Sequence, residues 1–436
     1  MTWLRRYHIR HYVENSLWIL PLVGIVAALM SARFLHWIEV AIGWESDFDP
    51  DTARAVLGTM ASSMFTFIVF VCSALLVALQ LASAQLTPRI IAIAFKNPVT
   101  KVSLTVFVFT FTFTLAVLVR IGTSVHFLTA AVAAYSSLAC LGVFLYLMDY
   151  IGKWLRPSGA LRAVAFLGRQ VIKSVYPRLL TEAQDATPGP ADIPAEEPTA
   201  TIANPGDGVV LAFDIEGLMG LAQRADCVIE LVPQVGDFVA AGDPLFRIFQ
   251  GGATLPEEAL RQSVALGQER TLEQDPTFAF RIMVDIASKA LSPAINDPTT
   301  AVLAIDQIQH LLRNVGHRCL DDERVRDAAG RLRLVYRTPD WDDFVRLAVT
   351  EIRHFGGESI QVVRRLLAML DNLIQTLPEQ RAPLLRQELN LLHRTAERLF
   401  AEPEDRVMAD ISDFQGVGGK HRNDEASGPA AAATLP

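Results

Sequence analysis

The sequence predicts a membrane α-helical protein with four transmembrane helices, followed by a cytoplasmic α+β part made of a small β barrel-sandwich-like module and then a helical domain. Three observations lead there. Hydrophobic residues make up 51% of the 436 residues, high for a soluble chain, and the apolar runs of helix length fall in the first third. The charge reverses along the chain: up to Arg178 there are 15 Lys+Arg against 7 Asp+Glu, and beyond it 24 against 40. After residue 205 the texture becomes short β-like runs and then helical periodicity.

The N-terminus carries Arg5, Arg6, His8, Arg10 and His11 before an apolar run from Leu17 to Leu35. A secretory signal has a similar start. This run approaches the ~20 residues needed to span, no small-residue cleavage site follows, and Trp18 and Trp37 stand where interface anchors belong. It reads as an uncleaved first helix. The acidic loop from Glu39 to Asp51 then sets this helix running outward by the positive-inside rule.

The second helix, Ala55 to Ala84, returns to a basic connection holding Arg89, Lys96 and Lys101. The third spans Val102 to Val119. There, alternation of Phe107, Phe109, Phe111 and Phe113 with threonines imitates a strand, but a lone strand leaves its backbone unsatisfied in lipid, so a helix is expected. A short turn at Arg120 to Thr123 leads to the fourth helix, Val125 to Met148, and to further basic residues. The transmembrane domain is therefore placed at 1–150, with both termini in the cytoplasm.

Residues 151–180 read as a basic amphipathic helix lying along the headgroups. The proline-rich stretch 181–205 reads as a flexible linker. A β module is expected over 206–250, where VGDFVAAGDPLFRI resembles the hairpin of biotinyl and lipoyl barrel-sandwich domains. Those domains carry their cofactor on a lysine, and no lysine occurs between Lys173 and Lys289, so a swinging-arm role is excluded and no cofactor is expected. Residues 251–410 are expected to be helical and 411–436 disordered.

The second helix carries the most telling pattern. Thr59, Thr66, Ser73, Gln80 and Thr87 recur every seven residues, which at about 3.6 residues per turn keeps them nearly on one face. Ser62, Ser63 and Ser83 fall close to it. The bland account is a packing face, where small residues let helices approach and hydroxyls bond across. The functional account is that Thr59, Ser63, Thr66, Ser73 and Gln80 line a pore in a symmetric homo-oligomer, with Phe70 and Val77 between them making it narrow.

A second constellation lies in QDPTFAFRIMVDIASKALSPAINDPTTA, from Gln274 to Ala301. Arg281, Asp285 and Lys289 are spaced four apart on one helical face, and Asp297 followed by Pro298 is a strong helix start. The structural account is a salt-bridged helix, a break and a capped helix. The functional account has Ser292, Asn296, Asp297 and Thr299 converging with Arg281 and Asp285 on an ion or polar ligand. The ALSPAINDPTTA stretch, the upstream R-x-x-x-D-I-A, the β module and the four spans together resemble the bacterial family of predicted membrane proteins known as DUF twenty-two fifty-four. That resemblance runs from the first helix to about Asp405 and implies a membrane protein with no assigned activity.

Enzyme signatures are missing: the sequence has no G-x-S-x-G, P-loop, HExxH or dinucleotide loop, and no enzymatic activity is expected. Cys72, Cys140, Cys227 and Cys319 form no metal pattern. His354 between Glu351 and Glu358, and His393 before Glu397, have tolerable ligand spacing but read as solvated faces, so no metal is expected. Arg33 and Arg120 read as snorkelling to headgroups, and no Asp, Glu or Lys stands mid-span, which speaks against a proton-coupled transporter. The acidic soluble part argues against nucleic acid.

The expected function is an inner-membrane homo-oligomeric channel for an ion or small solute, gated by its cytoplasmic domain. The alternative is a membrane-anchored sensor or scaffold whose cytoplasmic domain binds a ligand or protein. A membrane enzyme resting on Arg281, Asp285, Asn296 and Asp297 is the third reading.

Overall fold

The computed structural model describes residues 2–42, 45–46, 49–122, 125–183, 197–252, 255–320 and 324–418. The chain divides into two compact units: Ile9–Gly159, and the region from Ala160 onward together with the first few residues.

In the first unit, α1 (Trp3–Asn15, its residues up to His8 belonging to the second unit) precedes α2 (Ile19–Ile42). Strand β1 (Glu45–Ser46) leads to the long α3 (Pro50–Gln85), followed by the short α4 (Ile90–Lys96) and α5 (Pro98–Leu118). Strand β2 (Val125–His126) pairs antiparallel with β1 and opens α6 (Phe127–Trp154). Among the described residues, α2, α3, α5 and α6 are the four helices long and apolar enough to cross a bilayer. The Phe/Thr alternation sits inside α5, as the backbone argument requires, and the Thr114 hydroxyl donates to the Thr110 carbonyl one turn back.

α5 is the hub of this unit. Gly24, Ala28 and Ala32 form a row of small residues on α2, and a Cβ added at Gly24 would stand 2.9 Å from the Thr105 methyl. Such a row lets two backbones approach closely where no hydrophobic effect drives helices together. Ala28, Ala32, Leu57, Phe113, Val117 and Ala133 form one core cluster, and Met64, Val71, Phe107, Cys140 and Leu147 another. Phe67 stacks edge-on against both Phe107 and Phe144 in the second cluster. Helices α3 and α5 each start with an Asx cap followed by proline: Asp49 accepts from the Thr52 amide, and Asn97 from that of Val99. The cap satisfies an orphan amide and the proline's fixed φ suits the first turn.

The second unit begins with α7 (Pro157–Val175, its first three residues belonging to the first unit) and α8 (Leu180–Ala183). Then come β3 (Ala200–Ala203), β4 (Gly208–Phe213), α9 (Ile215–Arg224), β5 (Val228–Leu231), β6 (Phe238–Val239) and β7 (Pro244–Phe249). α10 (Glu257–Arg261) and β8 (Val264–Gly267) lead to α11 (Pro276–Ala290) and α12 (Pro298–Gly316). β9 (Arg324–Arg326) and β10 (Leu332–Val335) precede α13 (Trp341–Gly356), α14 (Ile360–Thr376), α15 (Ala382–Leu399) and α16 (Pro403–Ala409). The strands make a five-stranded sheet of order β3-β7-β5-β10-β9 and a three-stranded sheet of order β6-β4-β8.

Three expectations change here. The β module is not confined to 206–250: β3 comes from the stretch read as linker, and β8, β9 and β10 come from the stretch read as helical, with β10 parallel to β5. The amphipathic helix at 151–180 does not leave its apolar stripe for headgroups. Ala160, Leu161, Val164, Ala165, Gly168, Val171 and Ile172 are buried in α7, and a Cβ at Gly168 would meet Ala279 at 2.7 Å and Leu311 at 3.2 Å. An amphipathic face is satisfied equally by lipid or protein, and here protein covers it. The tail expected to be disordered from 411 is held down as far as Gly418. Arg364, 1% exposed, donates to the carbonyls of Ile411 and Gly418, and the Asp413 carboxylate accepts from the amides of Gln415, Gly416 and Gly418. The centre of the linker (184–196) and the tail from 419 lie outside the described residues.

Candidate functional site

The stripe on α3 lies opposite the face by which this helix packs. Leu57, Ala61, Met64, Val71 and Ala82 are buried, whereas Thr59, Ser63, Thr66, Ser73 and Gln80 are all exposed, as is Ser62. At 100° per residue the two sets centre roughly 180° apart. Among the described residues of this unit, no helix buries the stripe. From Thr59 to Gln80 it runs about 32 Å along the axis at ~1.5 Å per residue, comparable with the ~30 Å thickness of a hydrocarbon core.

The hydroxyls divide in their local chemistry. Thr59 donates to the Ala55 carbonyl at 2.8 Å and Thr66 to that of Ser62 at 3.1 Å, which lowers the cost of an apolar surrounding while leaving each oxygen as an acceptor. The Gln80 amide cannot be satisfied within its own helix in this way. A shallow cleft beside the upper stripe is lined by Thr59, Ser63 and, from α6, Ser137. Thr87, the last heptad position, is buried beyond the end of α3 and leaves the stripe.

Two charged residues at the ends of the spans were missed by the sequence reading. Glu39, placed there in a solvated acidic loop, is 1% exposed near the end of α2. Its Oε1 accepts from the amides of Leu128 and Thr129 in the first turn of α6, so it caps the positive end of that helix. Its Oε2 is buried without a hydrogen-bond partner among the described residues. Lys101, 6% exposed, donates from its ammonium to the carbonyls of Val13 and Glu14 at the end of α1. The signal that could have found Glu39 is its spacing from His36 and Ala32 on the buried side of α2. Arg120 does not snorkel freely: it lines a small cavity with His36 and Thr129, and its Nη1 is buried.

The second constellation resolves into two groups. Arg281 donates to Asp285 at 2.6 Å and grips Glu351 of α13 with both terminal nitrogens, at 2.5 and 2.7 Å. That bidentate bond holds the Glu351 carboxyl below the usual carboxylate range. Glu351 was read only as a flank of His354; the sequence could not show that it faces α11. Ser292, Asn296, Asp297 and Thr299 belong to the turn between α11 and α12. The Ser292 hydroxyl donates to the Lys289 carbonyl, and Asn296 takes the left-handed conformation, φ +47°. The Asp297 carboxylate accepts from the amide and hydroxyl of Thr300, and Thr299 is exposed. Each named group except Thr299 thus has a role in closing the turn or joining α11 to α13.

Elsewhere, His393 meets Asp410 at 3.1 Å. Cys140, Cys227 and Cys319 are buried and Cys72 half-buried, all as free thiols.

The chain is 28% identical to an uncharacterized protein of Mycobacterium tuberculosis, Rv1290c, and to its counterpart Mb1321c of Mycobacterium bovis, over 93% of this chain and 80% of each relative. No solved structure matches it. The profile of the family described as Predicted membrane protein (DUF2254) matches residues 14–372, from α1 into α14, and the chain belongs to that family.

Proposed function

We propose that this protein is a homo-oligomeric channel of the bacterial inner membrane, passing a small ion or solute along the polar face of α3 under control of its cytoplasmic α+β unit. The observation that carries this reading is the stripe: polar residues recurring over the depth of a bilayer, exposed among the described residues and free of charge. A face of that kind is costly against lipid and is relieved by water or by other copies. Four spans cannot enclose a path alone, so copies arranged about an axis must contribute one α3 each. Basic clusters on one side of the spans favour cytoplasmic termini.

Arg281, Asp285 and the Ser292–Thr299 turn are assigned to holding the helical layer of the cytoplasmic unit together rather than to conduction. The reading is tested by reconstitution into liposomes with a flux assay, alongside the mass of the particle in native membrane. Flux from an oligomer is expected. A monomer that passes nothing under voltage, tension or ligand would overturn it in favour of a membrane-anchored sensor or scaffold.

A further inference from the structure

Within the second unit, five chain segments close around a cavity of about 120 Å³. One wall is aromatic: Phe213 at the end of β4 and Tyr336 just after β10 meet edge-on with centroids 4.9 Å apart. Gln274 fixes that wall, since its side chain accepts from the Phe213 amide and donates to the Phe213 carbonyl. Val175 closes another side from the last turn of α7. A mostly apolar hollow with a few convergent polar groups is the usual form of a small-molecule site.

The polar groups differ in how far they are committed. Gln274 is spent on Phe213. Arg337 lines the cavity from an exposed position and has no ion pair or hydrogen bond among the described residues. No lining residue is Asp or Glu, so its charge is not balanced from within the cavity. The buried carboxylate nearby, Asp275, does not line it; its oxygens serve the amide of Phe278 and the hydroxyl of Thr277 and approach Arg270.

We infer that this cavity is a binding site for a small organic anion, a carboxylate or phosphate attached to one ring or an equivalent aliphatic body, with the apolar part against Phe213 and Tyr336 and the anionic head on Arg337. The space of about 120 Å³ is close to, and below, the roughly 150 Å³ cavity that holds benzene, so it takes only the apolar body and leaves the head outside at the exposed Arg337, whose guanidinium suits either head by paired hydrogen bonds. An occupant would touch Val175, the end of the helix that follows the last membrane span. The inference goes beyond the conduction reading and does not depend on it, and its test reads binding rather than flux.

The test is calorimetric titration of the full-length protein in lipid nanodiscs with benzoate, phenyl phosphate and the neutral benzyl alcohol. At least one anion is expected to bind saturably below about 10 mM, with benzyl alcohol at least about tenfold weaker. Arg337→Gln, at an exposed position, is expected to weaken the anion about tenfold or more with an unchanged melting temperature. Val175→Phe is expected to fill the cavity and abolish binding. Absence of saturable binding by both anions, equal binding of the alcohol, or wild-type affinity in Arg337→Gln would each overturn the inference; the Arg337 result decides even if the Val175 variant fails to fold.

Discussion

Ser73→Leu separates the two ways of explaining the polar face of α3. Ser73 is exposed and carries the only hydroxyl on that face between Thr66 and Gln80, a gap of 14 residues otherwise filled by Phe70 and Val77. Replacing it leaves a dry track of about 21 Å along the helix. In the single chain this costs little, because the side chain is exposed and leucine is the better helix former. In a conducting ring it adds one isobutyl group per copy at the level where the path is already apolar. An ion that loses its water there meets an added barrier of at least about 3 kcal/mol, hence a fall in flux of roughly a hundredfold or more. The assay is dye-reported ion flux into proteoliposomes at matched protein content, with Ser73→Thr as the control that keeps the hydroxyl. If Ser73→Leu keeps its oligomeric mass and conducts like wild type, the stripe is not the path.

Three other outcomes follow from the geometry. Glu39→Ala strips two amides at the start of α6 of their acceptor in a buried place, and is expected to destabilise the membrane unit by about 2–4 kcal/mol, with Glu39→Gln milder, as measured by thermal unfolding in detergent. Asp275 is buried and its carboxyl is pushed up by desolvation, so the native state favours its protonated form. The stability this adds is present below the ordinary carboxylate value and is lost as pH rises through the raised one. Asp275→Asn should therefore gain on wild type as pH increases from acid to neutral, and a gap independent of pH would refute this. Arg364→Met should release residues 411–418, seen as faster amide exchange there while α12 and α13 stay protected; unchanged exchange would show that other contacts hold the segment.

Much of the fold was legible because it rests on local rules. The four spans follow from length and hydropathy, and helices α12 to α15 from a 3.6-residue period. The Asp297–Pro298 start announced α12, and the same Asx-Pro signal recurs at Asp49, Asn97 and Asp275, where it opens α3, α5 and α11. What stayed hidden depends on partners distant in sequence. β9 and β10 fall in the stretch read as helical, and no strand was expected there because Arg333 stands in the middle of one. It is tolerated because Asp327 and Asp226 meet it at 2.9 and 2.7 Å, and it holds both carboxyls below their usual range. The stripe on α7 could not announce whether lipid or protein covers it. Glu39 looked like one acid among several until the start of α6 was placed beside it. The α3 stripe itself was visible in the heptad spacing, but only the positions of α2, α5 and α6 show that its residues stay exposed.

The most direct test of that last point is aqueous accessibility along α3 in the assembled membrane protein. Cysteine would be introduced singly at Thr59, Thr66, Ser73 and Gln80, and at Leu57, Ala61, Met64 and Val71, in a chain freed of its native thiols, then exposed to a charged, membrane-impermeant thiol reagent. Reaction at the first four positions across the full depth of the bilayer, with loss of flux and protection at the second four, is the predicted result. Protection at Thr66 and Ser73 in a folded, membrane-inserted protein would contradict a water-filled path along this helix.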